Sequence, residues 1–317
     1  MSACSVESLA VDEPLAGTAQ VAQCWVIIEQ PGPWGSQALL ESTIDPVLGQ
    51  QLLERSEGTG TSLLLARHPD RTDRNLTEHN VWVVHTSPGD CWMRHGLIRD
   101  LSELTTWDFA AMAQGQLPPI GTKVADPTMF ICTHSGRDTC CAIHGRALIS
   151  AVHEALPAEI RSSVWECSHL GGHRFAPTAL TIPSGAVWGR LTPERALEVH
   201  AAAFAREITT ESYRGRSAWP QPLQSAEAHV RSSIDERAEN SLDVLWVIDD
   251  RAVPARPGVR FENLAQLVAE VRHRDGRSWR VTVRTQEIAA RAESCGKDAV
   301  TGTAWVPVAM SETANWR

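Results

Sequence analysis

Short apolar runs, each cut off by a Pro/Gly cluster or a charged turn, set the rhythm of this chain. Cys24-Trp-Val-Ile-Ile28 is apolar at every position, the pattern of a strand buried on both faces. Gln30-Pro-Gly-Pro-Trp-Gly35 ends it, because Pro and Gly punctuate regular structure. Between Asp45 and Arg55 the apolar residues Val47, Leu48, Leu52 and Leu53 fall on one helix face. Ser62-Leu-Leu-Leu-Ala66 and Asn80-Val-Trp-Val-Val-His85 predict two more strands. The order strand, helix, strand, strand describes a small α/β layer. Residues 1–20 carry no such pattern and read as a flexible tail.

A second unit opens after Gly115-Gln-Leu-Pro-Pro-Ile-Gly121, where a domain boundary is predicted. It runs from the strand Met129–Cys132 through a loop to a helix over about 142–155. Ser162–Cys167 is the next strand, followed by a second loop. Thr178–Ile182 and Ala186–Gly189 then form a hairpin around Pro183-Ser-Gly185. Thr192 and Pro193 supply the N-cap and first position of a helix that continues to about Ala205. The expected fold class is therefore α/β, with a thioredoxin-like domain over 122–210 and a second small α/β domain over 21–121. That first domain reads as a divergent copy of the same fold. Residues 211–317 form a connector and an α+β extension, including a turn-rich Tyr213–Ser217, a helix over 225–233 and an alternating strand over 278–284.

Composition narrows the classes of function. A net charge of −9 leaves no basic surplus for nucleic acid and leaves room for a partner with a basic docking face. No apolar run reaches the roughly 18 residues of a membrane span. The start Met-Ser-Ala-Cys-Ser-Val-Glu-Ser lacks the basic and apolar regions of a signal peptide. A cytoplasmic location is the expectation, where eight cysteines would stay mostly reduced and serve metal or redox chemistry.

Two loops hold that chemistry. Cys132-Thr-His-Ser-Gly-Arg-Asp-Thr-Cys140-Cys141 gives C-x8-C counted to Cys141, with Cys140 as the alternative sulfur. His169-Leu-Gly-Gly-His173 gives H-x3-H, and its glycines allow the backbone to turn both imidazoles toward one point. Thiolate and imidazole donors suit zinc or a [2Fe–2S] cluster. Zinc fingers space a cysteine pair by about two to four residues. The wider gap here favours a larger dinuclear group, whereas the H-x3-H half also fits zinc. Cys295, in Ser294-Cys-Gly-Lys297, reads as a lone loop thiol without chemistry.

At these residues the chain resembles the sucrase/ferredoxin-like family. The resemblance rests on Cys132–Cys141, on Ser168-His-Leu-Gly-Gly-His-Arg-Phe-Ala-Pro177 and on Trp188-Gly-Arg-Leu191. Glu29–Gly35, Tyr213–Ser217 and Ser294–Lys297 add to it. It implies a thioredoxin-like ferredoxin domain whose [2Fe–2S] cluster takes two Cys on one iron and two His on the other. Carried over by position, the ligands are Cys132, Cys141, His169 and His173, with Cys140 beside the expected thiolate. The chain is then expected to be an electron carrier rather than a catalyst, serving an unknown redox donor or acceptor protein. Imidazole ligands raise the potential, and reduction at the His-bound iron is expected to couple to proton uptake. The alternatives are a Cys2His2 zinc interaction module and a thiol-redox enzyme on a thioredoxin-like fold.

Overall fold

A computed structural model describes residues 3–70, 76–254 and 264–313. Its first ten strands are β1 (Cys24–Glu29), β2 (Thr61–Arg67), β3 (His79–His85), β4 (Trp92–Ile98), β5 (Thr122–Lys123), β6 (Thr128–Cys132), β7 (Val164–Cys167), β8 (Ala179–Ile182), β9 (Ala186–Trp188) and β10 (Tyr213–Arg216). They form one sheet in the order β10-β9-β8-β6-β7-β2-β1-β3-β4-β5. A second, antiparallel sheet has the order β12-β11-β13-β14-β15, from β11 (Leu242–Ile248), β12 (Arg251–Pro254), β13 (Gln266–His273), β14 (Ser278–Ala292) and β15 (Ala299–Thr313). The helices are α1 (Cys4–Ala10), α2 (Ala38–Glu41), α3 (Pro46–Ser56), α4 (Phe109–Ala113), α5 (Arg146–Ala155), α6 (Pro193–Phe204) and α7 (Gln221–Ser233).

The large sheet repeats one plan. β1 pairs parallel with β2 and antiparallel with β3, which pairs with β4. β6 likewise pairs parallel with β7 and antiparallel with β8, which pairs with β9. The two halves join through β2 and β7, antiparallel, with only Ala66↔Cys167 and Arg67↔Glu166 in register. Arg67 Nε donates to Glu166 Oε2 at 3.0 Å across this seam. Because the paired residues end both strands, the carboxyl ends of β1–β2 and β6–β7 meet there. The expected boundary near 121 falls between β5 and β6, whose sheet is continuous.

Helix starts follow local chemistry. Asp45 Oδ1 accepts from Val47 and Leu48 N–H, with Pro46 opening α3. Thr192 Oγ1 accepts from Arg195 N–H, with Pro193 opening α6 as the sequence predicts. The helix expected over 142–155 instead begins with a wide π-helical turn over Cys141–Gly145 before α5. Tyr213–Ser217, expected to be turn-rich, contributes the edge strand β10, with Arg214 and Arg216 fully buried. Arg216 donates to the carbonyls of Ser184 (3.0 Å) and Glu239 (2.7 Å), which satisfies a guanidinium that burial would otherwise penalise. α7 packs Leu223, Ala226 and Val230 against Val244, Trp279 and Val281 of the second sheet.

The predicted flexible tail is the largest correction. Met1 and Ser2 lie outside the described residues; from Cys4 onward the segment is α1 and a packed run with Cys4, Ser8, Glu13 and Ala19 buried. Charge pairing rather than apolar periodicity holds it. Glu13 accepts from Arg291 Nη2 at 2.7 Å and Arg174 Nε at 2.8 Å, and Ser8 Oγ donates to it at 2.9 Å. Burial alone would raise the Glu13 carboxyl, but these donors hold it below its ordinary 4.5. A carboxyl depressed on folding stabilises the fold above its unfolded value and loses that contribution as pH falls through the folded one. Glu13→Gln is therefore expected to cost about 3–5 kcal/mol at neutral pH, with the gap to the wild type closing as pH drops below 4.5. Denaturant melts across pH measure this, and a gap that does not change with pH would refute the pairing. Gly145→Ala tests the turn: a Cβ there would sit 2.0 Å from the Cys132 carbonyl oxygen. It should destabilise by roughly 1–3 kcal/mol, read as a lowered thermal midpoint.

Candidate metal centre

Both ligand loops leave the same sheet edge, because β6 and β7 are parallel neighbours with Cys132 opposite Cys167. Cys132 ends β6, and Cys141 opens the π-helical turn. The second loop is held at its root: Ser168 N–H donates to Leu65 O at 2.7 Å, and Leu65 N–H returns a bond to Ser168 Oγ at 3.0 Å. Gly171 (φ 72°) and Gly172 (φ 68°) are both left-handed, a conformation that glycine adopts freely. They turn the chain so that the His169 and His173 rings lie 5.1 Å apart, 32° from parallel.

The four residues predicted from the two loops come together. Hydrogen bonding from Cys141, and then from the His169 imidazole, pulls the Cys132 thiol well below its ordinary 9.0 despite complete burial. Cys141 is pushed the opposite way, up from its ordinary value, by the same contact with Cys132 and by burial. The thiols are buried, while the imidazoles are half-buried and nearer solvent. His169 lines a cleft with Ser36, Leu39, Leu63 and Arg137, and His173 lines another with Arg137, Glu293 and Lys297. The Nδ1 atoms of His169 and His173 are buried without a hydrogen-bond partner. His85, His134 and His153 share that condition, so an unpartnered Nδ1 does not by itself set this pair apart.

Neighbours brace the loops. His134 Nε2 donates to Gly35 O at 2.8 Å, and Gly136 lies so close to Gly35 that a Cβ would meet its carbonyl oxygen at 1.7 Å. The Pro/Gly loop after β1 thus packs on the first ligand loop. Arg214 donates to Gly171 O at 3.0 Å and to Thr18 Oγ1 at 3.0 Å. Burial pulls its guanidinium down to about 9.

Cys140, adjacent to Cys141, faces away from Cys132 toward a second group. Cys4, Asp138, Cys140 and Cys295 place their ligand atoms within 4.8 Å of one another, and among the described residues no other set of three or more such groups does so. No three of Cys132, Cys141, His169 and His173 thus share one ion-sized space. Cys295 is not the isolated thiol that the sequence suggests. Cys4 and Asp138 were missed as site residues. Asp138 lies inside the first loop, two positions before Cys140, but Cys4 and Cys295 are too far apart in sequence for any spacing signal. Asp138 also links the groups, with Oδ2 3.8 Å from His173 Nε2. Burial raises the His173 proton's cost and keeps that imidazole below its ordinary value, against the pull of Asp138.

One similar protein is "Altered inheritance of mitochondria protein 32" of Candida glabrata, 27% identical over 101 residues. The match covers 28% of this chain and 32% of that protein, so the chain spans about a third of its relative's length. No solved structure matches. Among the described residues, no helix is long and apolar enough to cross a membrane. The model of the sucrase/ferredoxin-like family matches residues 15–215, more than half of the chain and both ligand loops. The chain belongs to the sucrase/ferredoxin-like family.

Proposed function

We propose that the protein is an electron carrier holding one [2Fe–2S] cluster through Cys132, Cys141, His169 and His173. The observation that carries this reading is the convergence of two buried thiols with two imidazoles over a span too wide for one ion. A dinuclear group needs that span, since its thiolate and imidazole ends sit on different metals. The donor set fits: sulfur for one iron, and the unpartnered Nδ1 atoms of His169 and His173 for the other. Such a cluster supplies one-electron transfer at a potential raised by its imidazole ligands.

The remaining chemistry belongs to the chain. Cys132 and Cys141 sit inside, where burial excludes water and oxidants. His169 and His173 mark the edge nearest solvent, the natural side for exchange with a donor or acceptor protein. Were Nδ1 of His173 to hold the metal, its Nε2, 3.8 Å from Asp138 Oδ2, would be the ring atom left to carry a proton. The buried Arg214, bonded to Gly171 O, places a positive charge beneath the loop and favours added negative charge. The shared plan of β1–β4 and β6–β9 supports two thioredoxin-like units, over about 21–121 and 122–210, of which the second carries the centre.

Anaerobically purified protein should be red-brown and contain iron and sulfide in equal amounts. The dithionite-reduced protein should give an electron paramagnetic resonance signal with the low average g value of mixed Cys/His ligation. Cys141→Ser should abolish or reshape that signal, whereas Cys140→Ser should leave it intact. His173→Cys should keep the iron, shift the visible spectrum and lower the midpoint potential. A chain that takes up zinc in these four residues and never iron would overturn the reading.

A further inference from the structure

We propose that Cys4, Asp138, Cys140 and Cys295 form a second, structural metal site that holds one zinc ion beside the centre described above. The three sulfurs make a tight triangle: Cys4–Cys140 3.5 Å, Cys140–Cys295 3.1 Å and Cys295–Cys4 3.6 Å. The Asp138 oxygens Oδ1 and Oδ2 stand 3.8 and 3.9 Å from Cys4 Sγ. Thiolates about 2.3 Å from a tetrahedral zinc lie about 3.8 Å apart, so these edges are those of one coordination sphere.

Charge supports the assignment as much as spacing. The Asp138 side chain is 0% exposed. It accepts from Cys140 N–H at 2.8 Å, Cys295 N–H at 2.8 Å and Ser294 Oγ at 2.9 Å, and it faces His173 at 3.8 Å. Among the described residues no Lys or Arg pairs with it. A buried carboxylate beside three thiols and without a full cation is costly, and a divalent ion removes that cost. The donors that Asp138 already accepts orient it as outer partners orient a metal ligand. Oδ1 carries one of those bonds and keeps a lone pair for the metal. Ser5 Oγ, 3.3 Å from the Cys140 sulfur, supplies a further outer contact.

Soft sulfur with one carboxylate selects zinc over magnesium or calcium. Binding would release the three thiol protons to solvent and leave a closed sphere without an open position, the mark of a structural site. The ion would tie three distant segments together: α1, the first ligand loop, and the tip between β14 and β15. Cys140 precedes Cys141, so the ion would sit beside the proposed cluster without sharing a ligand with it.

The test counts metals in the full chain. Elemental analysis of anaerobically purified protein should find about one zinc per chain. Cys4→Ser and Cys295→Ser should each lower zinc content at least tenfold and leave the iron content and visible spectrum unchanged. Cys132→Ser should do the reverse. If the serine variants fail to fold, zinc-edge X-ray absorption of the wild-type chain decides: three sulfurs at about 2.3 Å and one oxygen at about 2.0 Å are expected. Three results would each overturn the site: no zinc and none taken up when Zn²⁺ is added under reducing conditions; zinc that leaves with Cys132 rather than with Cys4; or a Cys140–Cys295 disulfide in protein kept anaerobic. Zinc without iron would sink the cluster reading and spare this one, and iron without zinc the converse.

Discussion

A seam of two residue pairs organises the molecule. β2 and β7 touch only through Ala66↔Cys167 and Arg67↔Glu166, at their final residues. Had they overlapped along their length, the carboxyl ends of the two parallel pairs would point to opposite edges, far apart. The short overlap brings both ends to the middle of one sheet, where loops following parallel strands gather into a crevice. The Pro/Gly loop after β1 can therefore brace the first ligand loop through the His134–Gly35 bond. Leu65 can likewise hold Ser168, one residue before His169. The half without the Cys and His loops thus serves as the wall of the half that carries them.

The candidate site is uneven by construction. Its sulfur side is sealed in the core, and its imidazole side borders two clefts. Around it, charged side chains do what apolar packing does elsewhere. Arg214 and Arg216 are buried and satisfied largely by main-chain carbonyls. Arg174, Arg190 and Arg214 lie 4.5, 5.4 and 5.1 Å from the Phe175 ring, which places three cations beneath the histidine loop. Glu13 neutralises part of that charge and fixes the N-terminal segment in the same contact.

What the sequence made legible follows from what is local. Apolar runs mark β1, β2, β3 and β6, because a buried strand must be apolar along its whole length. Thr192-Pro193 marks a helix start, because capping is decided within four residues. The two ligand loops were legible because each holds its donor pair within ten residues. The segment from Cys4 to Ala19 was not, since it is held by partners such as Arg291 that lie 278 positions away. Cys140 looked interchangeable with Cys141, and only the π-helical turn that begins at Cys141 sends the two sulfurs to different neighbours. The second sheet was read as one short strand because its edges alternate weakly and β14 and β15 are each 15 residues long.

The triangle of sulfurs also sets an order on biosynthesis. Cys4 leaves the ribosome 291 positions ahead of its partner Cys295. At about 5–20 residues per second, roughly 15–60 seconds separate them. Once Cys140 has followed, 136 positions after Cys4, the two can meet each other but not yet their third member, so the nascent chain carries an open pair of thiols. The β14–β15 hairpin works as a latch: until its tip arrives, the sulfur of α1 lacks the third member of its triangle.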